Sequence, residues 1–145
     1  MEIQEIDYEV NCDDDTITPA TPYAVRDFVR YLTDGLRVLG SDLHGVVHAA
    51  TELRAAGFET PTRRMIKCPI GAWPRDKRLR LAGVFHRTAF MDGLPGLTKR
   101  PFGDALGWTK IQIEIFLLQV RQHLTSDAFH LWVPLHIVYA RKPPT

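Results

Sequence analysis

The chain has 145 residues, of which 45% are hydrophobic and 24% charged, with 18 basic against 17 acidic side chains. That length accommodates one domain and excludes two full ones, and the ordinary composition excludes a disordered, collagenous or coiled-coil chain. A net charge of +1 excludes a global pull toward nucleic acid or an anionic membrane.

The first predicted element is a strand: Ile6, Tyr8 and Val10 alternate with Asp7 and Glu9 at period two, and the run stops at Asp13-Asp14-Asp15. A helix follows, with Thr21 as N-cap and Pro22 at the first helical position. Its apolar positions are Val25, Phe28, Val29, Leu32, Leu36 and Leu39, ending at Gly40, and Gly35 interrupts them. A second helix starts at Ser41 or Asp42, carries Leu43, Val46, Val47, Ala50, Leu53 and Ala56 on one stripe, and stops at Gly57. Residues 60–68 read as a strand ended by Pro69-Ile70-Gly71. A basic helix over 75–90 presents Leu79, Ala82, Phe85 and Ala89 on one side, and Gly93, Pro95 and Gly96 predict a loop after it. Thr109 and Gln112 have capping-box spacing ahead of the best helical stripe, Ile113, Phe116, Leu117, Val120 and Leu124. The last strand is apolar on both faces from Phe129 to Tyr139, and Pro134 within it predicts an edge position or a bulge. Strand, two helices, strand, helices, strand is a mixed α/β order.

Charge is uneven along the chain. Seven acids fall in the first 15 residues, and eight bases lie between 63 and 87 around a lone Asp76. Each segment is either a binding surface or a solvated face, and the solvated face is favoured. No run approaches the ~18 apolar residues that span a bilayer, and the acidic N-terminus is unlike a signal peptide. Cys12 and Cys68 form no CxxC, so a reducing compartment, cytoplasmic or nuclear, is expected.

Few constellations carry chemistry. His44 and His48 have the i, i+4 spacing of a zinc helix, but Gly45 stands where the protease motif needs Glu, and no third ligand offers itself; no metal site is expected. The Asp13–Asp15 run lacks the alternation, glycine and closing glutamate of a calcium loop and reads as a solvated turn. Neither cysteine sits in a nucleophile signature. GxSxG, GxxxxGK[ST] and GxGxxG are all missing. Glu5, Asp7 and Glu9 lie near the carboxyl end of the first strand, where open α/β sheets bind ligands, so they are either substrate-orienting carboxylates or a solvent-facing alternation. Trp73, in GAWP, is a pocket wall or, as favoured, a packing anchor.

EIQEIDYEVNCDDDTITP, ELRAAGF, KCPIGAWPRDKRLRLAG, LGW and VYARKP stand in this order. Together they resemble the C-terminal half of a class I S-adenosylmethionine-dependent methyltransferase of the fungal secondary-metabolism type. The resemblance implies part of a Rossmann-like sheet of seven strands, the last antiparallel. Residues 2–10 match its fifth strand, 60–68 the sixth and 129–140 the seventh. The half before the fifth strand, with the glycine-rich cofactor loop, is expected to be absent. Residues 1–145 then form one partial domain, with 19–40 a helical insertion able to cover the substrate. Glu5, Asp7, Phe28 and Trp73 become the substrate-side candidates. S-adenosylmethionine is the implied cofactor, and because precise positioning supplies much of the rate of methyl transfer, the chain alone is expected neither to hold it nor to be active. The outer edge of the first strand implies self-association or a partner chain that covers it. A methyltransferase acting on a small molecule is one functional expectation; a non-catalytic interaction or regulatory module is the alternative.

Overall fold

The computed structural model describes every residue except Asp15, Pro19, Asp127, Pro144 and Thr145. Its strands are β1 (Glu2–Ile6), β2 (Asn11–Cys12), β3 (Glu59–Pro69) and β4 (Leu131–Arg141), and its helices are α1 (Ala24–Val38), α2 (Ala49–Ala55), α3 (Lys77–Thr98) and α4 (Lys110–Thr125). A 3-10 turn over Gly45–His48 precedes α2, and a π-helical turn over Lys99–Ala105 follows α3. The architecture is α/β with a small antiparallel sheet. β4, the last and most apolar strand, is central. β1 and β2 pair in succession with one of its edges and β3 with the other, all antiparallel.

Pro134 explains why the first predicted strand divides in two. Its carbonyl accepts the Asp7 N–H at 2.9 Å, so the side on which proline has no N–H to offer is also the β1–β2 side. The register passes from Ile6↔Leu135 to Asn11↔Trp132, so residues 7–10 bulge out where the ladder has no donor. Pro134 therefore sits in the central strand, opposite a bulge in its neighbour, and not at an edge.

The two faces of the sheet are covered at different ends of β4. Leu131 and Val133 pack into the main core with Val25, Phe28, Phe90, Leu94, Phe102 and Leu117 from the helices. Val138 and Ala140, on the opposite face, pack against Ala49 and Leu53 of α2.

Helix boundaries moved where tertiary contacts outweighed local signals. α1 begins at Ala24 and not at Pro22, because the Thr21 hydroxyl is used within the preceding turn, accepting from the Thr18 N–H at 3.0 Å. Its first free N–H, on Ala24, donates instead to His123 Nδ1 of α4 at 3.0 Å. The helix expected from Ser41 starts later, at the 3-10 turn, since the Asp42 carboxylate accepts from the His44 N–H and makes a turn there. Residues 93–96, expected as a loop, lie inside α3. Phe90, Leu94 and Thr98 recur on one buried stripe, and Pro101 and Phe102 continue it, so burial holds the helix through Pro95. Gly35 is required by this packing: a Cβ there would meet the Pro101 carbonyl oxygen at 2.4 Å. The Thr109–Gln112 capping box forms as expected. Among the described residues no helix is long and apolar enough to cross a membrane.

Candidate functional site

The bulge after β1 turns consecutive side chains to different surroundings. Asp7 is 3% exposed and faces a polar network, while Tyr8 lines an apolar cleft. One Asp7 carboxylate oxygen bonds His44 Nδ1, and the other lies 4.0 Å from His136 Nε2. His136 is also 3% exposed. Arg63 meets both ring nitrogens of His136, its Nε donating to Nδ1 at 3.0 Å and its Nη2 lying 3.0 Å from Nε2. His44 Nε2 lies 3.2 Å from the Thr33 hydroxyl, which also donates to the Val29 carbonyl at 2.8 Å. The network thus passes from the α2 face of the sheet, through the bulge, to α1.

Burial lowers the pKa of His136, and the Arg63 guanidinium lowers it further against the opposing pull of Asp7. His136 is therefore held as a neutral ring. Both His44 nitrogens are engaged, so His44 acts as a bridge that positions the bulge and α1. Among the described residues no three His, Cys, Asp or Glu side chains are grouped to hold a metal ion.

The cleft beside Tyr8 has a volume of about 370 Å³, within the range of small-molecule sites. Leu32 and Leu36 of α1, Phe90 and Leu97 of α3, and Pro101 form its apolar walls, with Arg100 at the rim. Tyr8 packs against Phe90 and, edge-on, against His86. Burial raises the Tyr8 pKa, with a smaller contribution from Cys68, so its hydroxyl stays protonated. A second, more polar hollow adjoins the cleft and shares Tyr8, Leu36, Ser41 and Leu43 with it; Gln4, Glu5 and Asp42 supply its polar wall.

The four substrate-side candidates do not converge. Glu5 is exposed in the polar hollow, opposite His136 in the register. Asp7 is buried in the network. Phe28 is fully enclosed, stacked on Phe102 and edge-on to Phe90, below the cleft wall. Trp73 donates its indole N–H to the Leu131 carbonyl at 2.8 Å and stacks on His130, so it anchors the start of β4. Of the acidic run, Asp13 pairs with Lys67, Asp14 accepts from Cys12 and Thr16, and Asp15 lies outside the described residues. Sequence reasoning missed Tyr8, His136 and Arg63 as site residues. The signal available for Tyr8 was its place on the apolar side of the first alternation.

No family model matches the chain, and no solved structure does. Over 99% of its length it is 26% identical to the methyltransferase pytC of Aspergillus terreus, of which it covers 44%. Its relatives are fungal proteins named as methyltransferases or as regulators of secondary metabolism. The probable methyltransferase tdiE of Emericella nidulans is 23% identical over 99% of the chain, which covers 44% of it. The secondary metabolism regulator LAE1 of Cochliobolus heterostrophus is 27% identical over 96%, with 45% of that protein covered. The chain thus spans less than half the length of the curated relatives it matches.

Proposed function

We propose that these residues form the substrate-side part of a class I S-adenosylmethionine-dependent methyltransferase fold of fungal secondary metabolism. In this reading β1, β3 and β4 are the fifth, sixth and seventh strands. One observation carries it: the last strand sits between the first and third, antiparallel to both, in a chain similar to methyltransferases over nearly its whole length. The cleft beside Tyr8 then receives the methyl acceptor. It lies past the carboxyl end of β1, where α/β sheets bind ligands, and α1 (within the 19–40 insertion) closes one side of it. Its walls exclude water and grip an apolar small molecule, while the Tyr8 hydroxyl and Arg100 offer hydrogen bonds that orient it.

The residues described do not fit the cofactor itself. The sequence has no GxGxxG turn, and the described strands are all antiparallel, so none leads through a parallel pair into a helix N-terminus that cradles a nucleotide. No step of methyl transfer is assigned to these residues. The test is calorimetric titration of the chain, shown to be folded by circular dichroism, with S-adenosylmethionine. No saturable heat at micromolar cofactor is expected; micromolar binding would overturn the division of labour. The free edge of β1 is where a partner strand, or a second copy, adds. A monodisperse monomer in light scattering counts against the partial-domain reading.

A second reading, a non-catalytic interaction or regulatory module, is favoured by the relatives named as regulators of secondary metabolism and by the engaged nitrogens of His44. Transfer of a labelled methyl group to a small acceptor by the full-length protein would decide against it.

A further inference from the structure

The chain from Pro95 to Gly103 walls two cavities at once. Gly96, Leu97, Arg100 and Pro101 face the cleft already described, while Pro95, Thr98, Lys99 and Gly103 face a second cavity, of about 470 Å³, against α4. The second cavity has an apolar interior of Trp108, Ile113 and the buried Leu117. Three cations, Lys99, Lys110 and Arg121, line it with a single acid, Glu114. On α1 and in the π-helical turn, by contrast, Arg30 pairs with Asp27, Arg37 with Asp34 and Arg100 with Asp104. Among the described residues none of the three cavity cations is in an ion pair. Unmatched positive charge around a concave apolar interior that includes an indole favours a ligand with an anionic end and an apolar body.

We infer that this cavity is a second ligand site, distinct from the cleft beside Tyr8, for a small organic anion such as an aromatic or short acyl carboxylate. The carboxylate sits among Lys99, Lys110 and Arg121, and the apolar body lies against Trp108 and Leu117. The site needs no cofactor and does not depend on the methyltransferase reading.

The test uses the full chain, with 2-naphthoate as the probe and the neutral 2-naphthalenemethanol as its comparator, in calorimetry at low ionic strength. Saturable binding of the acid at least several-fold tighter than of the alcohol is expected. Lys99→Gln with Arg121→Gln should weaken the acid by about tenfold, the combined worth of two partly exposed charge contacts. Lys77→Gln with Arg78→Gln removes the same charge at the exposed start of α3 and should leave the affinity within twofold. Equal affinity for acid and alcohol, or equal losses in the two double variants, would overturn the proposal. The substituted side chains lie at the surface or the cavity mouth, and an unchanged thermal midpoint shows that each variant is folded.

Discussion

The two faces of the central strand are held by different physics. On the side of α1, α3 and α4 the core is a lattice of rings, with Phe28, Tyr31, Phe90, Phe102, Trp108 and Phe116 in stacked and edge-on contacts. On the side of α2 the apolar cluster is small, and the directional link is the network of Arg63, His136, Asp7 and His44, in which Asp7 and His136 are buried. The ring lattice draws its stability from non-directional burial and leaves the cleft beside Tyr8 and the cavity against α4 as gaps in its packing. The network depends on matched donors and acceptors, and it fixes the bulge from which Tyr8 enters the cleft. Bulk apolar packing holds the wall, and hydrogen bonding aims the side chain.

The largest break in this contrast should come from Phe102→Ala. The ring is fully buried among Phe28, Tyr31, Trp108 and Phe116, and its removal should destabilise the fold by about 3–5 kcal/mol in urea denaturation. A loss below that of the network variant would show that rings are not what holds this side. Asp7→Asn keeps shape but removes the charge that His44 and His136 face, and should cost about 2 kcal/mol. Its distinguishing readout is a changed environment at Tyr8 in near-ultraviolet circular dichroism, which Phe102→Ala is not needed to explain. His123→Ala takes away the acceptor that caps α1 across the helix layer and should cost about 1 kcal/mol, with far-ultraviolet helicity nearly unchanged.

The gentlest test is pH. Burial lowers the pKa of both His136 on the network side and His86 on the ring side, the latter despite its bond to the Pro69 carbonyl. The unfolded chain, with histidine near 6.5, then binds more protons than the folded one below that pH. Stability present above about pH 6.5 should therefore fall as the solution is acidified, seen as a lower urea midpoint at pH 5.5 than at pH 7. His86→Gln should make that fall shallower; an identical fall would mean that His86 has no part in it.

Much of this was legible where neighbours in sequence decide the outcome. The Thr109–Gln112 capping box and the stop at Gly57 are local signals, and each sits where it was read. The resemblance to fungal methyltransferases was also legible, because it rests on segments along the whole chain. Asp7 stood out by its place near the carboxyl end of the first strand, but its partners did not. His44 read as half of a metal pair or as a packed residue, and Arg63 as one more charge in a basic run. Nothing local says that either would reach residue 7 or residue 136.

Sequence alone determined the buried stripes of α1 and α4, because period 3.6 belongs to the local backbone, but the stripe read at Leu79, Ala82, Phe85 and Ala89 faces solvent. Only the tertiary structure decided that α3 runs through Pro95, since the burial of Phe90, Leu94, Thr98 and Phe102 outweighs the missing backbone bond. It also decided that the first strand breaks at residue 7, because the donor missing there belongs to Pro134, 127 positions away. The cleft, the network and the cationic cavity follow from those two decisions.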